Sequence, residues 1–379
     1  AKTESGTSKH SIIGGLEYIN EEQDTYTIAG LGNYYANALL PGYPGYLLPW
    51  EKPYGGPFNH NPYRDPSAIT HGETETIGLY AFDTVEIGSQ WVVSGGIRMD
   101  SYTTDYYTRN SSTAATDPGL RTDFKAASDE VFSGKLGVTY KPIEELAIYA
   151  GYGRTVTPPG TGAFSLSTGA TNANNPENDP QESENFELGA KWDFRENVTL
   201  SGAVFYTENT NVIYQTNPGV PAGSEEYSVD GGQQILGANL GIAGQITDNW
   251  SVFANATWLD ATVDQPGALA DGRDLARTPH YAFSLWTTYK LPKGFTIGGG
   301  YRWTDSVNTS TAPTAITVDG YGVLDAMLQY DINSNINVRL NVYNVLDEEY
   351  ALSTGGSGGT ARMNLGAPTS FMLSTNFRF

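Results

Sequence analysis

Hydropathy in this chain repeats every second residue, in many separate segments. Ile336, Val338, Leu340 and Val342 alternate with Asn337, Arg339, Asn341 and Tyr343. Leu188, Ala190, Trp192 and Phe194 alternate with Glu187, Gly189, Lys191 and Asp193. Trp91, Val93, Gly95, Ile97 and Met99 alternate with Val92, Ser94, Gly96, Arg98 and Asp100. A helix would repeat at 3.6 residues, so these are strands with one apolar and one polar face. The final stretch, 370–379, reads SFMLSTNFRF, with Phe371, Leu373, Thr375, Phe377 and Phe379 on one face. A strand ending on an exposed Phe has little reason to exist in water. In lipid it makes sense, with apolar residues outward and polar residues toward a lumen.

About fourteen such segments are legible. They begin near residues 9, 73, 90, 131, 145, 184, 197, 234, 250, 280, 294, 321, 335 and 369. Their connections alternate in length. Short ones fall at 88–90, 141–144, 195–196, 247–249, 291–293 and 333–334; long ones span 21–72, 102–130, 154–183, 209–233, 261–279, 304–320 and 345–368. Tight turns on one rim and long loops on the other predict an all-β fold, a transmembrane antiparallel up-and-down barrel. Lipid offers no hydrogen bonds, so such a sheet must pair both its edges. An even count with both chain ends on the periplasmic side is the expected arrangement, over a single domain at 1–379.

No apolar run approaches the ~18 residues of a membrane helix, and no apolar leader follows the opening AKTESGTSKH. There is no Cys, which fits an oxidising compartment. The net charge of −21 argues against nucleic acid as a partner. It suits a surface that meets outer-membrane lipid and lipopolysaccharide through divalent cations. Catalysis is not expected. The four histidines, His10, His60, His71 and His280, show no metal-ligand spacing, and neither G-x-S-x-G nor a phosphate-binding Gly loop occurs. Neither a resident metal nor a cofactor is expected. The acid-rich stretches 174–185 and 260–274 lack EF-hand spacing and would hold divalent cations only adventitiously.

Residues 321–350, YGVLDAMLQYDINSNINVRLNVYNVLDEEY, end in an N-V-x-N-L-x-D-x-x-Y-like run from Asn341 to Tyr350. With Glu187-Leu188-Gly189-Ala190-Lys191, the hairpin at 135–153 and the closing Phe377-Arg378-Phe379, this resembles TonB-dependent outer-membrane receptors. Thr278-Pro279-His280 followed by 285–289 is similar to their ferric-siderophore branch, catecholate receptors included. The resemblance covers essentially the whole chain. It implies a bacterial outer-membrane receptor for a ferric-siderophore, energised through the TonB complex, with a wall of twenty-two strands. It also implies a plug domain and about eight strands that this sequence does not show. A passive diffusion channel and a structural subunit of an envelope complex remain the alternatives.

Ligand contact is then expected from the extracellular loops. The first carries Tyr34, Tyr35, Tyr43, Tyr46, Trp50, Tyr54 and Arg64. Aromatic rings with a cation suit a flat, aromatic, anionic iron complex; a compact Tyr- and Pro-rich cap is the other reading. Arg109, Arg154 and Arg362 join the loop candidates. Arg98, Lys135, Glu187, Lys191, Arg302, Asp325, Arg339 and Arg378 are expected in the lumen, either touching a plug or pairing with one another.

Overall fold

The computed structural model describes residues 2–5, 8–27, 68–110, 121–159, 175–215, 227–266, 268, 270–355 and 362–378. The strands are β1 (Lys2–Ser5), β2 (Ser8–Thr27), β3 (Ala68–Ile87), β4 (Trp91–Asn110), β5 (Arg121–Ile143), β6 (Leu146–Thr157), β7 (Gln181–Arg195), β8 (Val198–Gln215), β9 (Tyr227–Thr247), β10 (Trp250–Asp264), β11 (Tyr281–Lys290), β12 (Phe295–Thr304), β13 (Val307–Asn308), β14 (Thr317–Val318), β15 (Tyr321–Asp331), β16 (Ile336–Tyr343), β17 (Ala351–Gly355), β18 (Arg362–Leu365) and β19 (Ser370–Phe377). Fifteen of them form one sheet in chain order: β1 to β12, then β15, β16 and β19. The pairs β13–β14 and β17–β18 are small hairpins within long connections.

The register keeps one apolar face continuous across this sheet. Leu79 lies opposite Leu16 and Met99, and Met99 opposite Phe132. Leu188 faces Ala150 and Val204. Ile297 faces Tyr289 and Leu328; Leu340 faces Leu328 and Leu373. The register shifts fall near strand ends, at Tyr106/Thr108, Tyr140/Ile143, Asp193/Arg195, Asn209/Val212 and Trp250/Ser251. The alternation therefore stays in phase through the body of the sheet. Leu16, Ile97, Leu240 and Leu373 are 75 %, 72 %, 68 % and 70 % exposed, whereas Tyr102, Val131, Val323 and Met327 on the opposite face are buried. So large an exposed apolar face is a lipid contact. Aromatics collect on it at the short-turn rim: Trp91 stacks on Tyr140 at 4.4 Å and Phe295 on Tyr330 at 4.6 Å. Such rings sit well at a bilayer interface. Asp83, a charge on this apolar face, is held by the His10 imidazole at 2.8 Å.

Several expectations change. The sheet has fifteen strands, not an even fourteen, and it is not closed: β1 and β19 are its outer strands. The extra strand, KTES, has no apolar alternation to betray it; it pairs with the start of β2, Ser5 opposite Ser8. The loops are also shorter than expected, because β2 to β5, β8 and β9 run far past the apolar belt. Beyond the bilayer both faces are wet, so pairing persists while the hydropathy alternation fades.

Two outcomes follow. Leu340→Arg should cost ~2–4 kcal/mol if it lies near the midplane, measured by urea unfolding in lipid vesicles. Asn341→Arg, one residue along and on the other face, should cost much less; equal losses would reverse the facing. Cysteines introduced at Ser89, Glu196 and Ser334 should resist a membrane-impermeant reagent on intact cells, while cysteines within 28–67 should react. Labelling only at Ser334 would invert the sidedness.

Candidate functional site: the inner face and the long-loop rim

Glycine and aromatic residues alternate across the inner face as cross-strand partners. Phe82 lies opposite Gly96, and a Cβ at Gly96 would come within 1.8 Å of its ring. Tyr149 lies opposite Gly189 in the same way, with 2.5 Å to its hydroxyl. Each ring takes the space that a side chain on its glycine partner would fill. Tyr149 also donates to Glu187 at 2.6 Å, and the Lys135 ammonium sits 5.2 Å from the Phe82 ring centre.

Two of the inner arginines, Arg98 and Arg302, pair with carboxylates. Arg98 chelates Asp100 through Nε at 2.8 and 2.9 Å and Nη2 at 2.6 Å, and reaches Glu17 through Nη1 at 2.8 Å. Gly78, between Glu17 and Asp100 in register, leaves room for this cluster: a Cβ there would meet Arg98 Nη2 at 2.4 Å. Arg302 donates to Asp325 at 2.6 Å, and Arg339 makes two bonds to Gln329 at 2.7 and 3.0 Å. Lys191 is exposed, on the same face as Glu187. The Arg378 backbone N–H closes the last turn on the Asn335 carbonyl at 2.8 Å. Paired charges of this kind are the arrangement a lumen tolerates.

The Asn341-to-Tyr350 run proves to be a knot at the upper end of β15, β16 and β19. Asn344 is buried, with φ of 50°, a value Asn tolerates better than most residues. Its amide donates to the Glu348 and Ala367 carbonyls at 2.9 and 3.1 Å, and its carbonyl oxygen accepts the Glu348 N–H at 2.8 Å. Its own N–H donates to Asp325 at 2.8 Å, and Asp325 also holds Arg302. Thr369 ties the return strand to the Asn344 carbonyl and to Asp347 at 2.6 and 3.1 Å. Tyr350 is buried, stacks on Tyr321 at 4.5 Å, and leaves space only for Gly366 beside it. The motif is therefore a support that fixes the root of β17–β18.

At the rim, the loop candidates separate. Tyr34, Tyr35, Tyr43, Tyr46, Trp50, Tyr54 and Arg64 lie outside the described residues. Arg109 and Arg154 stand in strands β4 and β6 rather than in loops, whereas Arg362 stands in β18, inside the 345–368 connection. Arg154 is engaged by Glu182 at 2.6 Å and donates to the Phe132 carbonyl at 3.1 Å. The segment 175–180 packs toward β5 through an ion pair between Lys125 and Glu177. The cleft beside it, about 320 Å³, is lined by Asp129, Glu130, Asp179, Glu182 and Arg154 and would repel an anion. A second cleft, about 370 Å³, is lined by Arg273, Asp274, Asn308, Ser310 and Thr311. Beside it His280 lies 3.0 Å from the Leu259 carbonyl and 3.5 Å from Asp274. The backbone bond, helped by that carboxylate, raises its pKa above the usual 6.5. Acids of the 260–274 stretch are occupied by the chain itself: Asp264 accepts from Gln234, and Asp271 from the Gln265 N–H. Asn344→Ala should remove three side-chain bonds from a buried knot and destabilise it by about 2–4 kcal/mol. Faster proteolysis within 345–368, with little change in the rest of the barrel, is the expected readout.

Residues 4–345 match the family described as TonB dependent receptor-like, beta-barrel. The chain is 30% identical to the catecholate siderophore receptor Fiu of Escherichia coli K12, over 99% of this chain and 49% of Fiu. It is also 30% identical to the probable TonB-dependent siderophore receptor PiuA of Acinetobacter baumannii, over 92% of this chain and 48% of PiuA. The crystal structure of the ferric-catecholate import receptor Fiu, closed form, superposes with a TM-score of 0.79 at 28% identity, covering 100% of this chain and 53% of Fiu. The chain thus spans about half the length of the curated relatives it matches. Its sheet order, its lipid-facing and inner faces and this likeness agree: the chain belongs to the TonB-dependent receptor β-barrel family, whose members are receptors and transporters of the bacterial outer membrane.

Proposed function

We propose that this chain forms wall and mouth of an outer-membrane receptor for a ferric-catecholate siderophore. The whole-chain likeness to Fiu carries the reading. Two structural features support it. The inner face is lined with polar, mutually paired groups suited to a wide lumen. The sheet also presents two outer strands, β1 and β19, whose edges need partners in a bilayer. Further strands would close the wall toward the family's twenty-two, and a plug in the lumen would couple it to TonB. Arg98, Lys135, Glu187, Lys191, Arg302, Asp325, Arg339 and Arg378 would then face that plug, with their present partners holding them in place.

In this reading Tyr43, Tyr46 and Trp50 supply aromatic contact to the iron complex, and Arg64 its counter-charge; Arg109 shares the outward face of β4 with Ile97 and Met99. On the outer face above the apolar belt, Glu22, Glu73, Glu75 and Asp105 form an acidic stripe across β2–β4. Divalent cations would bridge it to lipopolysaccharide phosphates.

Replacing Tyr43, Tyr46 and Trp50 together by Ala should weaken binding of an iron(III) catecholate to the full-length receptor by tenfold or more. Each stacking or cation–π contact is worth ~0.5–2 kcal/mol, and ~1.4 kcal/mol is one decade. Absence of saturable binding and of iron uptake across catecholate, hydroxamate and mixed siderophores would remove the reading. Steady ion conductance in planar bilayers would then favour a passive channel.

A further inference from the structure

We propose that Glu22, Asp24 and His71 form a site for a divalent transition cation of the zinc class, on the outer face of β2–β3 above the apolar belt. It is independent of the siderophore reading. Glu22 and Asp24 are two apart on β2 and share a face; His71 stands opposite Asp24 on β3. The His71 Nδ1 lies 2.9 Å from Asp24 Oδ1 and 3.7 Å from Glu22 Oε1, and the three ligand atoms all fall within 4.8 Å of one another. A tetrahedral cation with ligands at ~2.0–2.2 Å separates them by about 3.3–3.6 Å. The trio is thus spaced to close on such an ion with side-chain rotation alone.

The donor set chooses the metal. One imidazole nitrogen and two carboxylates suit zinc and its neighbours, while calcium takes six to eight oxygens and no nitrogen. Three protein ligands leave one position open to water or an anion.

The surroundings fix the histidine. Tyr107, opposite His71 on β4, packs on its ring at 4.8 Å, and the Arg121 guanidinium lies 4.3 Å over the Tyr107 ring. This stack braces one side of the imidazole, while Nδ1 meets the carboxylates. Glu73, the nearest further acid on the face, accepts a hydrogen bond from Asn20 at 3.2 Å instead. Without a metal, one imidazole faces two carboxylates, so at least one negative charge stays uncompensated. A dication removes that excess and ties β2 to β3 three register pairs below the end of their ladder at Thr27 and Ala68. It would therefore stiffen the stem from which residues 28–67 leave.

The test is calorimetric titration of zinc alone into the full-length receptor, folded in detergent and stripped with a chelator. One zinc per receptor is expected, undiminished by excess calcium. His71→Ala and the near-isosteric Asp24→Asn should each lose at least about tenfold, in line with removal of a metal ligand. His280→Ala should bind as the wild type does. Heat-modifiable migration on gels confirms that each variant is folded. No zinc binding by the wild type, equal binding by His71→Ala and Asp24→Asn, or displacement of zinc by calcium would each overturn the proposal. Loss of siderophore binding would leave it untouched.

Discussion

Backbone pairing is the constraint on which the rest of this structure depends. In hydrocarbon an unpaired N–H or C=O costs several kcal/mol, so each strand must have a neighbour on either side. A ladder of fifteen strands meets that demand through its interior and leaves it open at β19, at β1 and along β2 beyond Ser11. The ladder also imposes phase. A one-residue slip between any two strands would turn every later apolar side chain inward. The bulges are confined to the rims, where a kink does not bring a charge into lipid. Register and hydropathy are thus one requirement here, and the continuous file from Leu16 through Leu79 and Met99 to Phe132 is its visible result.

The inner face answers a different demand. It must be wettable without leaving charges unpaired, and it must cover a curved sheet. Pairing Arg98 with Glu17 and Asp100 across Gly78 serves both. The missing side chain makes room for a bidentate guanidinium, and the guanidinium occupies the room. Phe82 over Gly96 and Tyr149 over Gly189 repeat this division of volume with rings. Gly15 beside Tyr80, Gly237 beside Phe205 and Gly300 beside Trp286 follow the same rule: where one residue is a large ring, its cross-strand partner is the one that can accept it.

What could be read in advance follows from where water begins. Within the bilayer the two faces meet different solvents, so alternation in residues such as 91–99 or 336–343 locates strands well. Past the belt both faces are wet and the signal vanishes, although β2–β5 continue as strands. That is why Arg109 and Arg154 looked like loop residues. The short β1 carries no apolar side chain and left no trace. The Asn341-to-Tyr350 run identified the family, but its physical role was hidden. It depends on Asp325, Arg302, Ala367 and Thr369, which no local spacing associates with Asn344. The Glu22–Asp24–His71 trio was equally invisible: Glu22 and Asp24 share β2, but His71 lies 47 residues beyond Asp24 and joins them only through the β2–β3 register.

Identity and specificity therefore reside in different parts of the molecule. The wall is dictated by lipid, a uniform partner, and many sequences satisfy it provided period and pairing are kept. That is why about 30% identity preserves the fold across the entire chain. The long connections instead bring together groups from separate segments, as Arg273 and Asp274 meet Asn308 and Ser310 around one cleft. The Asn344 knot links the two levels. It anchors on the wall through Asp325 and holds the root of β17–β18 at the rim, converting the rigidity of the ladder into a fixed starting direction for a loop. Changes at such anchoring residues would alter the mouth without touching either the lipid contact or the ligand.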